Sequence, residues 1–213
     1  MPYGNRKILL KVICIGNSGV GKTALMNRCV HKKFTTNYRA TIGADFLEKN
    51  TVVDGENVNV QIWDTAGQER FQSLGVAFYR GSDACVLVYD ITDSNSFQQL
   101  EVWREEFLNQ SNPPNRNIFP FICIGNKVDK ESDRKVSRTL VEQWCQNAGP
   151  NPIPYFETSA KDGTEVEETF NEIIRLAMKH SLATAPDAFL PDMVNLAHHE
   201  RYIRKKNETN SCC

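Results

Sequence analysis

The chain is 213 residues long and 40% hydrophobic, with 25 basic and 26 acidic side chains for a formal net charge of −1. That is enough chain for one domain with a true core. It offers no basic excess for nucleic acid and no apolar run of the roughly 18 residues that a membrane span needs. Met1–Lys7 contains no secretory apolar stretch, so a cytosolic start is expected. The seven cysteines follow no zinc or disulfide spacing. Cys14, Cys85 and Cys123 in strand-like runs, and Cys29 and Cys145 in helical ones, read as small buried hydrophobes. Cys212 and Cys213 stand apart, adjacent and terminal in a polar setting.

Apolar runs of strand length alternate with segments of helical period, the pattern of an α/β sheet with mostly parallel strands. Six strands are expected near 7–15, 45–53, 57–63, 84–90, 119–125 and 154–158, and five helices near 22–32, 69–79, 94–110, 136–148 and 164–179. Asp54-Gly55 reads as a hairpin turn, which makes the second strand antiparallel to the third. Ser94 opens one helix, and Thr164 with Glu167 forms a capping box at another. Pro186 and Pro191 break the pattern after His180, and 201–213 is almost wholly polar. A domain over 1–180 and a flexible tail over 181–213 follow.

Gly16-Asn17-Ser18-Gly19-Val20-Gly21-Lys22-Thr23 fits G-x-x-x-x-G-K-[ST] between a strand and a helix. Glycines let backbone N–H groups curl around an anion, and the helix N-terminus adds unpaired donors. Lys22 can then bridge outer phosphates and the Thr23 hydroxyl can ligate Mg²⁺. Three more motifs end strands on the same rim, where open α/β sheets place ligands: Asp64-Thr65-Ala66-Gly67-Gln68, Asn126-Lys127-Val128-Asp129 and Thr158-Ser159-Ala160-Lys161. A carboxylate ending an apolar strand is costly alone; Asp64 is satisfied by a magnesium ion held through water, or else it is an ordinary turn aspartate. Gly67 can offer its N–H to a terminal phosphate. The neutral amide of Gln68 can position a water but is no base. Asp129 can accept both the N1–H and the 2-amino group of guanine, whereas adenine leaves it unpaired. Asn126 can bond the base and brace the loop, the Lys127 stem can cover the base face, and the Ala160 N–H can meet guanine O6. Thr41, in a polar connector, is a further candidate for the Mg²⁺ shell.

These residues resemble the Ras superfamily of small GTPases, and its Rab branch in particular. The likeness covers 7–180 and rests on 16–23, Thr41-Ile42-Gly43-Ala44-Asp45-Phe46, Trp63–Phe71, 126–129, 157–161 and the terminal cysteine pair. Gln72–Gly81 and Ala44 are similar to the late-endosomal and lysosomal Rabs. The resemblance implies a P-loop fold with a six-stranded, mostly parallel sheet and helices on both faces. It implies a GTP-hydrolysing switch in vesicle transport from late endosome to lysosome or vacuole, with another endosomal role or a non-catalytic nucleotide-binding scaffold as alternatives. Lys22, Thr41 and Gln68 would serve hydrolysis. Ser18, Gly19, Val20, Gly21, Lys22, Thr23, Ala24, Phe34, Tyr38, Thr41, Gly67, Asn126, Lys127, Asp129, Ser159, Ala160 and Lys161 would line the nucleotide. Thr23, Thr41 and Asp64 would serve the metal. Phe46, Trp63 and Phe78 match the triad that Rab effectors contact, plain core packing being the alternative, and Cys212 and Cys213 match a double geranylgeranyl signal. Expected partners are GTP and GDP, effectors, an exchange factor, a GTPase-activating protein, a prenylation escort and a GDP dissociation inhibitor, with a monomer at cytosolic faces of endosomal and lysosomal membranes. Asn17 departs from the Asp usual at its position, and Cys-Cys from the Cys-x-Cys more frequent in late-endosomal Rabs.

Overall fold

The computed structural model describes residues 7–37, 39–41, 43–66 and 78–184. Strands β1 (Ile8–Ile15), β2 (Ala44–Val53), β3 (Glu56–Thr65), β4 (Ala84–Asp90), β5 (Phe121–Asn126) and β6 (Tyr155–Thr158) form one sheet in the order β2-β3-β1-β4-β5-β6. Every neighbouring pair is parallel except β2–β3. The reversal is made by Asp54 at φ 52° and Gly55 at φ 85°, both left-handed, as a two-residue hairpin turn requires.

Helices cover both faces because the inner strands are apolar on both. Leu10, Val12 and Cys14 of β1 face one cluster, with Leu25 and Met26 of α1 (Lys22–His31) and Phe170, Ile173 and Ile174 of α5 (Val166–Thr184). Ile13 and Ile15 face the other, with Trp103 and Phe107 of α3 (Leu100–Ser111) and Val141 of α4 (Arg138–Asn147). All seven residues of β4 are buried, as expected of an inner parallel strand. Cys14, Cys29, Cys85, Cys123 and Cys145 are buried free thiols within these layers.

The chain departs from expectation at two helices. The helix expected over 94–110 is two, α2 (Ser94–Gln98) and α3, and the cap is Asp93, whose Oδ1 accepts from the Asn95 N–H at 3.0 Å. The capping box of Thr164 and Glu167 does not form. Glu167 turns to Lys49 at 2.6 Å and to Lys32, two ammonium groups that outbid a main-chain N–H, while Val166 N–H bonds back to Gly163. Helix α5 runs past 179 to Thr184, so the first residues of the expected tail are helical. The helix expected over 69–79 lies almost wholly outside the described residues.

Candidate nucleotide site

The loop after β1 is shaped by what its carbonyls do. Lys22 Nζ donates to Gly16 O at 2.8 Å and Asn17 O at 3.0 Å, Lys127 Nζ to Gly19 O at 2.7 Å, and Asn126 Nδ2 to Val20 O at 2.8 Å. A planar peptide points its N–H opposite its C=O. Carbonyls tied to outer donors therefore leave the N–H groups facing the pocket, beside the N-terminus of α1. The loop can lie this close only as glycine. A Cβ on Gly16 (φ +140°) would stand 2.1 Å from Val88 O, and one on Gly21 (φ +102°) 2.3 Å from Asn126 Nδ2. Burial lowers the Lys22 ammonium to about 8, against the pull of the Asp64 carboxylate.

Thr23 and Thr41 converge on Asp64. The Thr23 hydroxyl donates to Asp64 Oδ2 at 2.5 Å, the Thr41 hydroxyl to the same oxygen at 2.9 Å, and the two hydroxyl oxygens lie 3.2 Å apart. Burial pushes the Asp64 carboxyl above the usual range, opposed by the Thr23 bond, the Lys22 charge and the Thr41 bond. Its Oδ1 is buried with no partner. Two hydroxyl oxygens gathered on one under-satisfied carboxylate are hard donors of the kind that fit Mg²⁺.

The third wall is built from the ends of β5 and β6. Asn126 Oδ1 accepts from the Ala160 N–H at 3.1 Å and the Thr158 hydroxyl at 3.4 Å, so this one buried amide joins the phosphate loop to the 158–161 loop. Ser159 Oγ donates to Asp129 Oδ1 at 2.7 Å, and Lys161 Nζ lies 3.8 Å from Asp129 Oδ2. Arg28 Nε of α1 donates to Ala160 O at 2.8 Å from behind. Lys127 Nζ is held by Asp90 at 2.6 Å as well as by Gly19, which stretches its stem across the mouth of the pocket.

A 290 Å³ cavity lies between the phosphate loop, the start of α1 and the connector after α1, lined by Ser18, Gly19, Gly21, Lys22, Thr23, Ala24, Phe34, Thr41 and Lys127 among others. A larger cavity of 430 Å³ opens at the amino ends of β5 and β6. Its cations Arg104 and Arg116 are already paired with Glu105, and no glycine loop faces it. Chemistry rather than size selects the site.

The model of the Ras family matches residues 11–179. The chain belongs to the Ras family. This small GTPase is 58% identical over 174 residues to the Ras-related protein Rab-7a of Dictyostelium discoideum, covering 82% of this chain and 85% of that protein. It is 51% identical over 210 residues to the Ras-related protein Rab7 of Drosophila melanogaster, covering 99% of both. To the Ypt/Rab-type GTPase ypt7 of Schizosaccharomyces pombe it is 57% identical over 178 residues, covering 83% and 86%.

In this Ras-family GTPase, Phe46 stacks on Trp63 with ring centroids 4.9 Å apart, and Trp63 meets Phe78 at 5.4 Å. Phe46 is 42% exposed, and Lys11 Nζ sits 4.8 Å from the Trp63 centroid. The three rings form one row across β2, β3 and the segment before β4. Tyr38, Gly67, Gln68, Cys212 and Cys213 lie outside the described residues. Three residues of the site escaped the sequence reading: Arg28, Asp90 and Trp103. Asp90 ends an apolar strand as Asp64 does, a signal that was there to use. Trp103, whose indole reaches Asn17, left none.

Proposed function

We propose that this GTPase is a guanine-nucleotide switch of vesicle trafficking that recruits effectors at late-endosomal and lysosomal membranes in its GTP form. The observation that carries the switch is the meeting of Thr23 and Thr41 on one oxygen of Asp64. Thr41 belongs to a connector, not to a strand or helix, so it can leave when the ligand changes. The likeness to Rab-7 and ypt7 proteins supports the compartment.

The loop N–H groups and the Lys22 ammonium bind the outer phosphates. Asp129 reads the guanine N1–H and 2-amino group, and Asn126 couples that reading to the phosphate loop. Thr23, Thr41 and Asp64 would hold Mg²⁺, which when bound neutralises phosphate charge. Thr41 and the Gly67 N–H hold their segments against the γ-phosphate, and Gln68 orients the attacking water. Phe46, Trp63 and Phe78 present the apolar surface that effectors cover. No helix among the described residues is long and apolar enough to cross a membrane. Attachment falls to prenylated Cys212 and Cys213, two chains being what stable anchoring takes, with an escort and a dissociation inhibitor to carry them. An exchange factor and a GTPase-activating protein set the two half-reactions.

Competition titration tests the nucleotide reading: GTP and GDP must outbind ATP by at least 10³-fold, and equal binding refutes it. Single-turnover hydrolysis by Gln68→Leu tests the water-positioning role, and an unchanged rate rejects it. Thr23→Asn should bind GDP in preference to GTP. Mass analysis of the protein from cells should find two geranylgeranyl groups on the terminal cysteines.

A further inference from the structure

The phosphate loop is held from one place that no reading of its motif would supply. Trp103 Nε1 donates to Asn17 Oδ1 at 2.7 Å, across 86 positions of chain. Trp103 is only 6% exposed, packed with Phe107 and Leu100 in the layer under α3. An indole has one N–H and no acceptor, so the contact is directional. The main-chain carbonyl of the same Asn17 receives the Lys22 ammonium at 3.0 Å. On its other side, Gly16 is wedged against Val88 O with no room for a Cβ.

We propose that Trp103 is a positioning residue of the nucleotide site: by fixing Asn17 from α3, it sets the carbonyl that aims the Lys22 ammonium at the phosphates. Asn17 is thus a three-way joint. Its preceding residue is pressed on β4, its side chain is tied to α3, and its carbonyl shares the buried cation with that of Gly16. Without the indole, the amide and the peptide behind it can rotate. The ammonium then loses one of its two fixed acceptors, and a shift well under 1 Å matters when a charge must meet phosphate oxygens. This inference rests on the guanine-nucleotide reading above.

The test is the GDP release rate of full-length protein loaded with a fluorescent GDP analogue, measured as a double-mutant cycle. Trp103→Phe, which keeps an aromatic ring and loses the donor, and Asn17→Ala should each speed release about five- to twentyfold. The double variant should be no more than about twofold faster than the faster single, since both remove one contact. Asn17→Asp keeps an acceptor, and release from it should still quicken when Trp103→Phe is added. A Trp103 that merely packs would lower the thermal midpoint and leave the cycle additive. Trp103→Phe releasing GDP at the wild-type rate, or a double variant equal to the product of the singles, overturns the proposal. Should Trp103→Phe not fold, Asn17→Ala carries the test: the indole N–H proton resonance of Trp103 must move, and an unmoved resonance overturns it. Wild-type protein that holds no guanine nucleotide would overturn the functional reading beneath instead.

Discussion

Adding one methyl group to the phosphate loop should disable it, and the structure says by how much. Gly21 sits at φ +102°, where a residue with a Cβ carries about 1–2 kcal/mol of strain. The new Cβ would stand 2.3 Å from Asn126 Nδ2. Asn126 has nowhere to retreat, being 1% exposed and bonded to Val20 O, the Ala160 N–H and the Thr158 hydroxyl. Breaking the bonds to Val20 and Ala160 costs about 1 kcal/mol each. The total for Gly21→Ala is therefore about 3–4 kcal/mol, or between two and three decades in an equilibrium constant. Relaxation of the loop in the free protein would move this cost from stability to affinity, so both are measured: denaturant unfolding without nucleotide, and GDP affinity by competition. Adding Asn126→Ala should cost less than the sum of the singles, because the obstructing amide is gone. If stability and affinity of Gly21→Ala together change by less than about 1 kcal/mol, the clamp is not what holds the loop.

Asp64→Asn removes the charge that the two threonine hydroxyls share; GDP affinity should become insensitive to Mg²⁺, so that adding EDTA no longer speeds release. Lys22, at about 8 because it is buried, binds phosphate as the ammonium. GDP affinity should fall roughly tenfold per pH unit above that value, since binding then takes up a proton; a flat profile from pH 7 to 9.5 would refute it. Burial pushes Glu157 up, but the Arg134 bond, the Tyr155 hydroxyl and the Arg134 and Arg138 charges outweigh it and hold the carboxyl below the usual glutamate range. A depressed carboxylate stabilises the fold above its unfolded value and loses that contribution as pH falls through the folded one. Glu157→Gln should destabilise the fold at pH 7 and flatten the acid limb of the stability curve below the ordinary glutamate range. A limb as steep as wild type would show that this carboxyl does not set it.

The strands were legible because their apolar runs are long and bounded by turn chemistry. Even the antiparallel edge followed from Asp54-Gly55, whose backbone demands two left-handed residues. Helix ends were less so. Glu167 is a capping glutamate by spacing, and only the fold brings Lys32 and Lys49 near enough to claim it. The break between α2 and α3 had no marker, since Gln99 is neither glycine nor proline. For the site, the motifs named which residues gather at the rim, because each ends a strand of one sheet. What the local sequence lacks is any sign of which distant side chains will meet. The reach of Trp103 to Asn17, the hold of Asp90 on Lys127 and the brace of Arg28 behind Ala160 all link residues more than 35 positions apart.

The hairpin of β2 and β3 has a further consequence. Ala44 pairs with Thr65 at its open end, Ala66 N–H bonds to Gly43 O at 3.0 Å just beyond, and Thr41 and Asp64 meet at the same mouth. The residues on either side of the hairpin, Thr41 and Gly43 before it and Asp64 and Ala66 at its end, are thus bonded to each other at one mouth of the sheet, so a substitution that breaks the Gly43–Ala66 bond should disturb the Thr41–Asp64 contact as well.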